Sequence, residues 1–172
     1  MPLIIPQESG RSATVDRPVT AYLSSAYSDG WRVLGWLGLA FFVMSLIDIA
    51  LGWYPMFFGT PEWEFGTISA TVAALSIPTL GLYLMLASAI SRERAGIAKA
   101  VGVAMILLAV ALPVLGILYL TNVPLALKAT ATNDVVHFGM KKAVLKSVTL
   151  FAGYELLYVL GAMKALRRQT AF

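Results

Sequence analysis

The residues best placed to do chemistry in this chain are two acids set in apolar surroundings. Glu155 lies in FAGYELLYVLGAM (151–163), the end of an apolar run from Ala143 to Met163 that only Lys146 and a few hydroxyls interrupt. Asp48 lies in SLIDIALGWYP (45–55). If the Glu155 run is a membrane helix, the acid sits about 18 Å from one end and about 12 Å from the other, at ~1.5 Å per residue. A side chain that short cannot reach water from there. It is expected to carry its proton, or to be paired with a donor inside a bundle or across an interface.

Donors are available at that depth. The second apolar run offers Ser76 and Thr79, and Pro78 leaves the carbonyl of Ala74 without its helical partner. Tyr154 and Tyr158 flank the acid on its own helix, and Tyr83 is close in depth. One reading is a proton-carrying acid, or the polar rim of a quinone or cofactor pocket. The other is a neutral, hydrogen-bonded acid that holds helices together. Proton relays usually recruit more than one intramembrane acid, which favours the structural reading.

Asp48 sits about two turns from the end of its own run, and Lys146 about one turn into the fourth, so the two are expected to pair. Asp48 and Glu155 differ in depth by about 9 Å on the same arithmetic, too far to share a proton. His137, in TNDVVHFGMKK (132–142), is of a type that ligates haem iron or a chlorophyll magnesium, but a solvated loop imidazole is the commoner role. With no cysteine and a single histidine, thiolate metal sites and multi-histidine sites are excluded. No phosphate-cradling loop, nucleophilic triad or nucleotide fingerprint is present, so the chain is not expected to be an enzyme. No motif encodes a cofactor, and contact with lipid, quinone or pigment stays open.

The elements that carry these residues follow from composition. Of 172 residues, 59% are hydrophobic and 13% charged, roughly half the charged share of a soluble domain. Mean hydropathy is +0.78, which points to lipid as the solvent. Four runs of membrane-spanning length stand out, at about 33–54, 61–91, 98–121 and 143–163. The expected fold is therefore an all-α integral membrane protein with four transmembrane helices. Residues 1–30 form a polar arm with a short helix near 18–28, 31–168 the membrane domain, and 169–172 a tail. The arm lacks a basic segment followed by an apolar core, so it is expected to be kept rather than cleaved.

Charge sets the orientation. With the N-terminus inside, the inner side holds nine basic residues: Arg11, Arg17, Arg32, Arg92, Arg94, Lys99, Lys164, Arg167 and Arg168. The outer side holds four, Lys128, Lys141, Lys142 and Lys146. Nine against four places both termini in the cytoplasm. In GTPEWEFGT (59–67), Thr60 is a candidate cap for a helix whose first position is Pro61, with Glu62 and Glu64 in the first turn. Trp53, Tyr54 and Trp63 make an outer aromatic belt, and Trp31 and Trp36 an inner one. The segment from Asn122 to Lys142 reads as an amphipathic surface loop, with Thr132–Asp134 capping a short helix into the fourth span.

Small residues mark close helix approach: Gly35, Gly38, Ala98, Gly102, Gly153 and Gly161. They serve packing within the bundle or against a partner. PTLGLYL (78–84) and PVLGILYL (113–120) match in opposite-running helices, as an inverted repeat would, but so short a match is expected by chance. The stretch GWYPMFFGTPEWEFG (52–66) has the flavour of bacterial membrane proteins, which implies no activity, and the expected location is the bacterial cytoplasmic (inner) membrane. The expected function is a small polytopic accessory subunit docked on a larger complex of respiratory or photosynthetic electron-transfer type. The alternative is a small proton-coupled or small-molecule transporter, a homo-oligomer using Glu155 and the Pro-broken helices. The expected partners are the bilayer and other membrane subunits, not nucleic acid.

Overall fold

A computed structural model describes residues 17–167; the rest of the expected arm (1–16, with Arg11) and the tail with Arg168 lie outside the described residues. Five helices follow in order: α1 (Arg17–Gly52), α2 (Pro61–Ala74), α3 (Ser76–Ser91), α4 (Ala95–Ala129) and α5 (Asp134–Arg167). No strand occurs among the described residues. Helices α2 and α3 stack into one rod, so four rods are long and apolar enough to cross a membrane: Tyr27–Gly52, Glu62–Ser91, Ala95–Ala129 and Asp134–Arg167.

The boundaries differ from expectation in three places, each with a local cause. The separate short helix near 18–28 does not exist, because α1 runs unbroken through it for 36 residues. The second rod is interrupted at Leu75. Pro78 has no N–H for the carbonyl of Ala74, and the chain tightens there, with Leu75 N–H donating to Val72 O (3.3 Å) and Thr79 N–H to Leu75 O (3.0 Å). The Thr79 hydroxyl also donates to Leu75 O at 2.6 Å. Third, the surface loop expected over 122–142 is instead a helical hairpin with a turn of 130–133. Pro124 costs α4 only the bond to the carbonyl of Leu120, while Val123 and Ala126 pack with Met140 and Val144 around one apolar cluster. Asn133 caps α5, its Oδ1 accepting from Val136 N–H at 3.2 Å. At 35 residues α4 is about 52 Å long, well beyond the ~30 Å of a hydrocarbon core.

The first interhelical loop keeps the expected cap position but not the expected bond. Thr60 is the residue before Pro61, yet its hydroxyl donates to Phe57 O (2.6 Å). The carboxylate of Glu64 takes over, accepting from Gly59 N–H at 2.8 Å. Gly59 has φ +87°, a conformation that favours glycine. Beside it, Trp53, Phe58 and Trp63 form an aromatic trio with centroids 5.4–6.2 Å apart, Trp63 edge-to-face with both partners. We call this the Trp end, and the opposite end, with Arg32, Arg92 and Arg167, the Arg end.

Helix α1 packs on α3 and more lightly on α2; it touches neither α4 nor α5. Helices α4 and α5 pack along each other, with α2 and α3 against α4. Glycine governs the closest crossings. A Cβ on Gly38 would lie 2.6 Å from Gly81 O, and one on Gly81 would lie 2.6 Å from Gly38 O. Gly35 faces Ser88, Gly102 faces Ala165, and Gly161 faces the Met105 sulfur, while Ala98 is buried beside the same contact. Gly153 is the exception: a Cβ there would meet nothing within 4 Å, so it serves no close crossing within the bundle. The two Pro-x-Leu-Gly segments differ in setting. Pro78 sits at an interruption and Gly81 at a helix crossing, whereas Pro113 lies inside unbroken α4 and Gly116 only meets Phe151.

Candidate functional site

Glu155 projects from α5 into a cleft of about 170 Å³ against α4, lined by Leu112, Pro113, Gly116, Phe151 and Ala152. Its Oε2 atom is buried and has no hydrogen-bond partner. The adjoining proline matters, because Pro113 has no N–H for the carbonyl of Ala109, so an acceptor stands free one turn away.

The expected partners of Glu155 bond elsewhere. Thr79 pairs with Tyr158, the two hydroxyls 2.7 Å apart, and Tyr158 is wholly buried. Tyr83 donates to Leu157 O at 2.7 Å. Tyr154 stacks beside Tyr158 at 6.4 Å. Ser76 is exposed. Residues 155 and 158 differ by about 60° around a helix, so Tyr158 reaches α3 while Glu155 faces α4. Glu155 therefore faces α4, not the α3 hydroxyl expected to hold it.

A second polar layer lies toward the Trp end and was not singled out from sequence. Ser69 and Ser147 pair at 2.9 Å, tying α2 to α5. Trp53 Nε1 donates to Thr71 Oγ1 at 2.8 Å, tying α1 to α2. Asn122 Nδ2 donates to Glu64 Oε2 at 2.8 Å, tying α4 to α2. The fully buried Tyr119 stacks on Phe65 at 4.8 Å. Its hydroxyl lies near the serine pair without a bond of good geometry. Phe151 packs 5.9 Å from Tyr119 and also lines the Glu155 cleft. Tyr119 Oη and Glu155 Oε2 are both buried without a hydrogen-bond partner. An asparagine inside an otherwise apolar run was the signal that could have pointed to this layer.

The expected Asp48–Lys146 pair does not form. Both side chains are exposed, and α1 does not touch α5. The depth estimate also changes. Asp48 is five residues toward the Arg end from Trp53, which is level with Thr71, and Glu155 is eight from Ser147, which is level with Ser69. At ~1.5 Å per residue the two acids lie within about one helical turn of the same level. They face different surroundings and do not meet within one chain.

His137 sits in the first turn of α5, its Nδ1 3.4 Å from the Thr130 hydroxyl, beside the α4–α5 turn and far along the rod from Glu155. Lys142 lies 4.8 Å over the Phe138 ring next to it. No family model, curated protein or solved structure matches the chain, so its own geometry is the ground for any functional reading.

Proposed function

We propose that this chain is a multi-pass subunit of the bacterial cytoplasmic membrane that works docked against another transmembrane protein. The carrying observation is Asp48: an exposed carboxylate on α1, the rod that meets its own chain along one side only. Its level is about 7.5 Å from Trp53 toward the bundle centre. A carboxylate facing hydrocarbon there is costly, and a donor on a neighbouring helix offsets that cost. The occupant is a transmembrane helix of a second protein carrying Lys, Arg or an amide at this level, and a respiratory or photosynthetic electron-transfer complex is the host class we retain.

In mild detergent the parent is expected to migrate with a larger complex on native gels. Asp48→Leu should weaken that association about ten-fold, and Asp48→Asn, which keeps hydrogen-bonding capacity, by less. If Asp48→Leu associates as well as the parent, docking through this face is wrong. A complex containing only this chain would replace the second protein by a second copy.

Orientation is part of the same reading. The Arg end gathers Arg32, Arg92, Arg94, Lys99, Lys164 and Arg167, and this basic excess supports a cytoplasmic Arg end. Reporters that work only in the cytoplasm should be active after Phe172 and within 91–99, and inactive at Gly59. Activity at Gly59 would invert the topology.

A second reading is favoured by one observation, the unpartnered Glu155 oxygen beside the cleft at Pro113. There the chain carries protons or a small solute, and Glu155 is the group that titrates.

A further inference from the structure

A second cleft, of about 220 Å³, opens at the Arg end between α1, α3 and the start of α4. Three guanidinium side chains line it, Arg32, Arg92 and Arg94, together with the apolar Trp36, Leu39 and Ile97. The backbone builds this convergence. Helix α3 ends with Arg94 N–H bonded to Ala89 O (2.9 Å) and Glu93 N–H to Ile90 O (3.2 Å), the paired bonds of a Schellman cap. Glu93 occupies the left-handed position of that cap with φ +53°, where glycine is the usual residue. The result is a turn so short that Arg92 and Arg94 are held at one cleft. On the opposite wall, Gly35 lets α1 approach Ser88, whose hydroxyl bonds Trp31 O at 2.5 Å, and Arg32 lies one residue further along.

The charges are poorly compensated. Arg32 has Asp29 at 3.8 Å, an exposed and loose contact. Arg92 and Arg94 have no ion-pair partner among the described residues. Desolvation, then the charges of Arg94 and Arg32, hold the Arg92 guanidinium below its ordinary value, with Asp29 opposing them in part. Trp36 is 71% exposed in the same cleft. Cations at the rim with an indole and aliphatic side chains beside them suit a ligand that is anionic at one end and apolar at the other.

We propose that this cleft binds the phosphate of an anionic phospholipid headgroup, with Arg92 and Arg94 as the principal donors and Trp36, Leu39 and Ile97 against the upper acyl chain. Arginine suits the task because its planar fork meets two phosphate oxygens at once. The proposal rests on the membrane reading above and is independent of the partner at Asp48. It assigns a lipid-facing role to the Glu93 turn, which the bundle itself does not require.

The test uses the full chain in a nonionic detergent, titrated with phosphatidylglycerol, phosphatidylcholine or inorganic phosphate and read by native mass spectrometry. Phosphatidylglycerol should be retained about ten-fold more tightly than phosphatidylcholine. Arg92→Gln with Arg94→Gln should remove that preference while circular dichroism and particle size stay unchanged. A separate substitution, Glu93→Gly, relieves the left-handed residue and should leave the preference intact. Equal retention of the two lipids, or a preference that survives the double arginine change, overturns the proposal. Displacement of phosphatidylglycerol by low-millimolar phosphate would assign the cleft to a soluble anion instead and overturn the lipid source. Loss of the chain from membranes on carbonate extraction would sink the membrane reading, a different outcome from loss of lipid preference.

Discussion

Gly38→Val and Gly81→Val should each detach α1 from the rest of the bundle. A β-carbon at either position meets atoms that cannot swing away: for Gly38, Gly81 O at 2.6 Å, Leu84 Cβ at 2.9 Å and Met85 N at 3.0 Å; for Gly81, Gly38 O at 2.6 Å and Phe42 N at 2.9 Å. Backbone in two packed helices cannot yield without separating the axes. Overpacking of this kind costs about 1–3 kcal/mol and more where nothing can relax, and α1 has no contact with α4 or α5 to fall back on. Unfolding in graded SDS, followed through Trp31, Trp36 and Trp53, should show the α1 transition moving to much lower denaturant in both variants. Gly153→Ala is the control, since its β-carbon meets open space, and replacing glycine within a helix should be neutral or slightly stabilising. Parent-like unfolding of Gly38→Val would mean that α1 and α3 do not cross at this point.

Which features could be read from the chain divides along a physical line. Apolar runs and proline positions are properties of one segment, and they were legible: four runs of at least spanning length, an interruption near Pro78, small residues at Gly35, Gly38 and Gly102 where helices do meet; the helical ends beyond the apolar runs were not. Neighbourhood is not a property of one segment. These rods are apolar on most of their circumference, so hydropathy does not say which face meets which helix. That is why equal depth suggested an Asp48–Lys146 pair, while the packing order keeps α1 away from α5. It is also why Thr79 was offered to Glu155 and bonds Tyr158 instead. Proline was similarly double-edged. Pro78 interrupts its helix, but Pro113 and Pro124 stay inside α4, where neighbouring helices hold the rod together. The Trp-end layer of Glu64, Asn122, Ser69 and Ser147 depends on three rods meeting, and no single window of sequence carries it.

Glu155→Gln should fold and assemble like the parent, and Glu155→Lys should not. In the first variant an amide of the same shape keeps a hydrogen-bond donor and places no charge in the cleft at Pro113. In the second a cation enters an apolar cleft lined by Leu112, Pro113 and Phe151. A charged residue near the centre of a spanning helix costs about 2.5–3.5 kcal/mol on insertion scales, so Glu155→Lys should lower the yield of folded protein severely. The same variants separate the two functional readings. If Glu155 is a structural acid, Glu155→Gln retains whatever association Asp48 mediates. If it moves protons, Glu155→Gln abolishes pH-driven uptake in proteoliposomes while leaving the fold and the native-gel position unchanged. Infrared difference spectra give the direct readout. A carboxyl C=O band present at pH 7 in the parent and missing in Glu155→Gln marks a neutral acid in a dry cleft. Its absence from the parent would mean an ionised Glu155, hence a water path or a cation from a neighbouring subunit at this level. The oxygen that has no partner within the chain would then have found one outside it.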